Sequence, residues 1–325
     1  MAVLTRNGED RNGGGRPTAV PRAGLRPRAG LRRRGPGGGP TGRRRLVGVV
    51  FTAPVLVYLA VFQLFPVLYG FYLSFTGYSP LDRGAPRPVG LGNYTALLGS
   101  EDFLKSLRVT VQFVAEVLPF AVGIALGLAL LANRRIPGIG LLRAGLFLPR
   151  IVPLTAVSLV WLWMYSPDGW FNDLAGSLGL APRDWLLDED SALHSVAVMR
   201  VWKALGGNMV LFLAGLQAIP GVLYEAAKMD GAGAWARFRH VTLPGLRPVM
   251  VYVITINIVY LSQSFAEIFI LTGGGPLGST TTTNYLIYQE AFQNNRFGSA
   301  SAMAFVLFAA IFAFALVAMR GNGRK

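Results

Sequence analysis

Apolar residues along the chain fall into six long runs, separated by shorter stretches where Gly, Pro and charged residues gather. Crossing a hydrocarbon layer about 30 Å thick takes about 20 helical residues, because in lipid every backbone group must find its partner within its own segment. All six runs qualify. They predict an all-α integral membrane protein with spans over residues 46–75, 107–132, 141–165, 193–217, 246–271 and 301–319. Pro54, Pro66 and Pro119 in the first two runs predict kinks, and Gly123-Ile124-Ala125-Leu126-Gly127 predicts close helix approach.

Composition agrees: 52% of the 325 residues are apolar and only 14% charged. Where the charge sits says more than its amount. Twelve Arg fall within the first 45 residues among Gly and Pro. Such a segment cannot bury enough apolar surface to fold, so residues 1–45 read as a disordered basic tail. Its partner is an anionic membrane lipid surface; nucleic acid is disfavoured because no aromatic residue is interleaved for stacking. The tail has no apolar core and cleavage site of a signal peptide. Basic flanks stay on the cytoplasmic side. With the tail inside, 22 of the 31 Lys and Arg fall in cytoplasmic segments, while the 166–192 loop is acidic. Both termini, including 321–325, are then cytoplasmic, with 46–320 as the membrane domain. Zero cysteine excludes disulfides, Cys-ligated zinc and thiol catalysis.

A charged loop joins the fourth and fifth runs. Ile219-Pro220-Gly221 ends one helix. Residues 222–229 predict a short helix, Gly231-Ala232-Gly233 a turn, and 234–240 a second short helix with Trp235 and Phe238 on one face. Thr242-Leu243-Pro244-Gly245 predicts a turn into the fifth span. The whole reads as an amphipathic helix-turn-helix at the cytoplasmic surface.

Within that loop stand Glu225-Ala226-Ala227, then Asp230-Gly231, then after nine residues Val241, one residue, and Leu243-Pro244. This spacing resembles the EAA loop of permease subunits in bacterial ABC importers, with Val241 where the family usually has Ile. The resemblance implies a type I importer permease bundle of six transmembrane helices with a cytoplasmic coupling helix between helices 4 and 5. By it, Glu225, Ala226, Ala227, Asp230, Gly231, Leu243 and Pro244 contact a cytoplasmic ATPase dimer, with Glu225 capping a helix N-terminus and Gly231 at the bend. It also implies a second homologous permease subunit and an extracytoplasmic solute-binding protein. A further likeness, carried by Leu271-Thr272-Gly273-Gly274-Gly275-Pro276, Tyr285-Leu286-Ile287-Tyr288, Trp202-Lys203, Asn208-Met209 and the 90–94 segment, is to the carbohydrate-import group for maltose, lactose, multiple sugars and glycerol-3-phosphate. The glycine run lacks the Gly-Lys-Ser/Thr of a phosphate loop.

Ionisable and amide groups inside spans are costly and mark either substrate contact or interhelical bonding. Asn257, Tyr260, Gln263 and Glu267 lie in the fifth run, the last three on one helical face. Carboxylates and amides suit sugar hydroxyls, and an aromatic face suits a pyranose. Glu116 and Arg150 stand in the second and third runs, where pairing would neutralise both, or Arg150 would meet an anionic substrate. His194 and His240 are too far apart to share a metal. No catalytic residues, metal site or cofactor is expected, so the chain is read as a non-enzyme. The alternative is an ion-driven secondary transporter of a small polar solute, which predicts inverted repeats.

Overall fold

The computed structural model describes residues 42–322 apart from 83 and 135–136. Of the tail expected over 1–45, residues 1–41 lie outside that range, as do 323–325, while 42–45 belong to a helix. The chain divides into two units, 1–57 and 58–325. The described part of the first is helical, within α1 (Gly42–Leu59), and its side chains from Val49 to Val57 are mostly exposed.

Among its described residues, the second unit is built of helices joined by loops, with one isolated bridge between Thr76 and Pro88. A π-turn (Ala60–Leu64) leads to α2 (Phe65–Leu73), α3 (Gly92–Leu98), α4 (Glu101–Ala132), α5 (Ile139–Ile151), α6 (Leu154–Met164), α7 (Trp170–Ser177) and α8 (Glu189–Ala218). Then come α9 (Gly221–Met229), α10 (Ala234–Arg237), a π-turn (Phe238–Thr242), α11 (Leu243–Ser262), α12 (Ala266–Leu271), α13 (Thr283–Tyr288), a third π-turn (Gln289–Gln293) and α14 (Phe297–Asn322). Among the described residues, five stretches are long and apolar enough to cross a membrane: Val49–Leu73, Glu101–Ala132, Glu189–Ala218, Ala234–Ser262 and Phe297–Ala318. Helices α5 and α6 meet the same criterion only together, and make a sixth crossing if the bent pair is one span.

The centre is the pair α4 and α8. Along α4, Phe113, Val117, Ala121, Ala125 and Ala129 recur every fourth residue and are fully buried, which places them on one face. Ala125 and Ala129 share a core with Met209, Phe212 and Leu216 of α8 and with Leu246 and Val253 of α11. Close approach therefore runs through alanines, while Gly123 and Gly127 face open space. Where α5 crosses α8, backbone meets backbone: a Cβ added at Gly206 would stand 2.0 Å from the Leu146 carbonyl oxygen.

Two prolines sit two residues past a π-turn, Pro66 after Ala60–Leu64 and Pro244 after Phe238–Thr242. Proline has no N–H for the carbonyl four residues back, and its ring clashes there. The widened turn, closed by Phe65 N–H to Ala60 O and by Leu243 N–H to Phe238 O, lets each helix continue. The turn expected at 242–245 is therefore absent. The helix begun at Ala234 runs on to Ser262, and the second short helix expected over 234–240 is its first part.

The run expected as one span over 141–165 bends by 98° between α5 and α6. Pro153 cannot donate back to Pro149, and Val152, which precedes a proline, is extended (φ −66, ψ 134). The bend frees the Pro149 and Val152 carbonyls. Lys203 of α8 reaches both, donating from Nζ to Pro149 O at 2.6 Å and also to Val152 O. A second break separates α11 from α12 at residues 263–265. There Asn284 Nδ2 donates to Gln263 O and the fully buried Thr282 hydroxyl to Ser264 O, each at 2.9 Å. Because of this break, positions 260, 263 and 267 do not share one helical face.

Two substitutions check these contacts. Gly206→Leu drives a side chain into backbone and is expected to cost about 3 kcal/mol, seen as loss of monodisperse protein in detergent, whereas Gly207→Ala is tolerated because its Cβ meets only the Arg150 side chain, at 3.4 Å. Lys203→Met leaves the Pro149 and Val152 carbonyls at the bend without their donor and is expected to remove about 2 kcal/mol of stability. An unchanged thermal midpoint would show that Lys203 is dispensable to the bend.

Candidate functional site

A cavity of about 340 Å³ lies between α5, α8 and α11. Arg150 enters from α5, Arg200, Lys203 and Asn208 from α8, and Tyr252, Asn257 and Tyr260 from α11. Each arrives by helical spacing: 200, 203 and 207 follow one another at three or four residues, as do 252, 256 and 260.

The polar groups differ in how far they are already used. Asn257 and Asn208 form a reciprocal amide pair, at 2.9 Å from Asn257 Nδ2 and 3.3 Å the other way. Asn257 Nδ2 also donates to Val253 O at 2.7 Å, so both its donors are committed. The pair ties α8 to α11. Arg200 Nε lies 3.3 Å from Glu267 Oε1, a carboxylate that is only 1% exposed. This ion pair holds α8 to α12, and Glu267 does not line the cavity. Gln263 is exposed at the helix break, also outside the lining. Of the four residues expected along a substrate path, the cavity therefore gathers Asn257 and Tyr260.

Glu116 does not pair with Arg150. It accepts from Gln112 Nε2 at 2.9 Å on its own helix and lies 2.9 Å from His194 Nδ1 on α8. Helix direction explains this: Glu116 sits one turn from Gln112 and faces α8, whereas Arg150 extends across Gly207 into the cavity. Arg200 and Tyr252 were not singled out from sequence. The signal for Arg200 was present in its pairing with Lys203, two cations one turn apart in an otherwise apolar run.

A second site lies on the loop between α8 and α11. Helix α9 ends with Gly231 at φ +76, a conformation that costs residues with a Cβ about 1–2 kcal/mol. Ala232 N–H bonds Ala227 O, and Gly231 N–H bonds Lys228 O, the two bonds of a Schellman motif. Glu225 is the fifth residue of α9 and not at its N-terminus, where Pro220 stands as the cap. Glu225, Ala226, Asp230 and Gly231 are exposed, Ala227 is half-buried, and Leu243 and Pro244 lie exposed at the start of α11. Apolar side chains are exposed beside them, Met229 at 88% and Trp235 at 70%. Tyr224 and Thr242 hydroxyls, 3.0 Å apart, hold α9 against the π-turn.

The glycine run at 273–275 is held by its own segment. Tyr285 Oη donates to Gly273 O and Thr281 Oγ1 to Gly274 O, both at 2.9 Å, and Thr280 Oγ1 to Gly275 O at 2.8 Å. A Cβ at Gly274 would fall 2.6 Å from Thr281 and from Tyr285. Glycine here makes room for packing.

Comparison with known proteins places this arrangement. Residues 119–322 match the family described as "Binding-protein-dependent transport system inner membrane component". The chain is 34% identical over 280 residues to the trehalose/maltose transport system permease protein MalF of Thermococcus litoralis, covering 86% of this chain and 94% of that protein. It is 37% identical over 263 residues to the sn-glycerol-3-phosphate transport system permease protein UgpA of Brucella suis, covering 80% and 89%. Among solved structures, a chain of a bacterial alginate ABC transporter in complex with an alginate-bound periplasmic protein shares the fold, with a TM-score of 0.77 and 22% identity over 87% of this chain and 96% of that one. Multiple apolar crossings, the helical bundle and the matched sequence agree: the chain belongs to the inner-membrane permease components of binding-protein-dependent transport systems.

Proposed function

We propose that the chain is the permease subunit of an ATP-driven importer of a carbohydrate or carbohydrate derivative. It forms half of a translocation path with a second homologous permease. A solute-binding protein delivers cargo from outside, and a cytoplasmic ATPase dimer supplies the energy; the chain itself performs no catalysis. The termini face the cytoplasm, as the distribution of Lys and Arg favours. Cargo class is supported by the relatives, whose names give trehalose, maltose and glycerol-3-phosphate.

The observation that carries the coupling is the α9 loop. A helix end fixed by the Gly231 Schellman motif presents Glu225, Ala226, Met229 and Asp230 outward, with small residues that allow another chain to approach. Movement of that chain reaches the cavity through one continuous element, since the helix from Ala234 to Ser262 carries both the loop's end and Asn257 and Tyr260. By this reading ATP-driven closure of the ATPase dimer shifts α9 and α11 together. The cavity, lined by Asn257, Tyr260 and the α8 residues, then changes its exposure from one side of the membrane to the other.

Gly231→Val, which places a β-branched residue at positive φ, is expected to abolish sugar-dependent ATP hydrolysis by the assembled complex while the chain still inserts in the membrane. Unchanged hydrolysis and assembly would remove the coupling role. Uptake that survives ATP depletion and collapses with the ion gradient would favour the secondary-transporter reading instead.

A further inference from the structure

We propose that the cargo of this transporter is anionic, a sugar or polyol derivative bearing a phosphate, sulfonate or carboxylate, and that Arg150 binds the charged group. The inference rests on the transport reading above and adds a charge to its substrate class.

The cavity is lined by three cations, Arg150, Arg200 and Lys203, and by no carboxylate among the described residues. Glu267 is turned away from it, buried against Arg200. One acid against three bases leaves an excess of positive charge among apolar helices, where a charged side chain is costly unless it is paired or lines a watery path. Two of the three cations have structural partners, Arg200 in Glu267 and Lys203 in the Pro149 and Val152 carbonyls. Arg150 has no acidic partner among the described residues, is exposed to the cavity, and lies over Gly207, whose missing side chain leaves room for it.

A guanidinium offers paired N–H donors in a planar fork that matches phosphate, sulfonate and carboxylate oxygens. On the α11 wall, Tyr252 and Tyr260 are 56% and 52% exposed. Their rings suit the apolar face of a sugar, and their hydroxyls its hydroxyl groups. Cation on one wall and tyrosines on the other fit a small solute charged at one end. A volume of about 340 Å³ suits one sugar unit with its anionic group.

The test uses the full chain assembled with its partner permease, ATPase and binding protein in proteoliposomes, given matched probes: glucose with glucose 6-phosphate and glucuronate, glycerol with glycerol 3-phosphate, and inorganic phosphate alone. The anionic member of a pair is expected to be preferred, and Arg150→Gln to raise its KM about tenfold or more, with Arg150→Lys keeping the preference. A folding defect would lower uptake of both members equally. Preference for the neutral member overturns the proposal. So does an anion-to-neutral ratio unchanged by Arg150→Gln, the result expected if a carboxylate of the partner permease neutralises Arg150. Preferred uptake of inorganic phosphate alone defeats the carbohydrate reading and leaves the anion site standing; import of neutral trehalose or maltose with no uptake of the anionic probes defeats the anion proposal and leaves the carbohydrate reading standing.

Discussion

Every backbone carbonyl freed inside a bilayer must be met by another donor, because lipid offers none. This chain breaks two of its apolar runs and meets the demand from elsewhere in the sequence. Lys203 serves the bend at 149–153, and Thr282 and Asn284 serve the break at 263–265. The donors lie 18 to 54 residues from the carbonyls they satisfy. Each break is thereby fixed by tertiary contact and not by local sequence alone. The segment after α12 shows the same dependence: its threonines turn inward, with Thr280, Thr282 and Thr283 fully buried.

The breaks also shape the cavity. Bending at Val152 turns α6 away and leaves the end of α5, with Arg150, beside α8. Ending α11 at Ser262 moves Glu267 onto a separate short helix, where it can meet Arg200. A straight fifth helix would have kept Glu267 in line with Tyr260. The π-turns act in the opposite sense: they absorb Pro66 and Pro244 so that helices continue. Proline thus breaks one run, at Pro153, and is passed over elsewhere, behind a wider turn at Pro66 and Pro244 and without one at Pro119 inside α4.

The apolar runs made the membrane-crossing helices legible, and the spacing of Glu225-Ala226-Ala227, Gly231 and Leu243-Pro244 made the family legible. Both depend on local pattern. Gly231 was readable as a bend because only its own backbone conformation is involved. The faces of the spans were harder. Gly123 and Gly127 suggested close packing, yet the contact runs through alanines four residues apart, since which face turns inward is set by α8 and not by residue size. Pairing was harder still: Glu116 meets His194, and Glu267 meets Arg200, each across helices whose rotation no short window encodes. The bend at Val152 lies inside a run expected as one span, and both it and its partner Lys203 emerge only in three dimensions.

Lys203 holds a bend, and Arg200 is fastened to a buried acid. Neither can be exchanged without undoing a helix contact. Residue 150 is different, because its side chain lies beside Gly207 with no acidic partner among the described residues. Of the cavity's three cations, the frame therefore leaves one open to change: its charge can be rewritten at residue 150 while the ties made by Arg200 and Lys203 stay as they are.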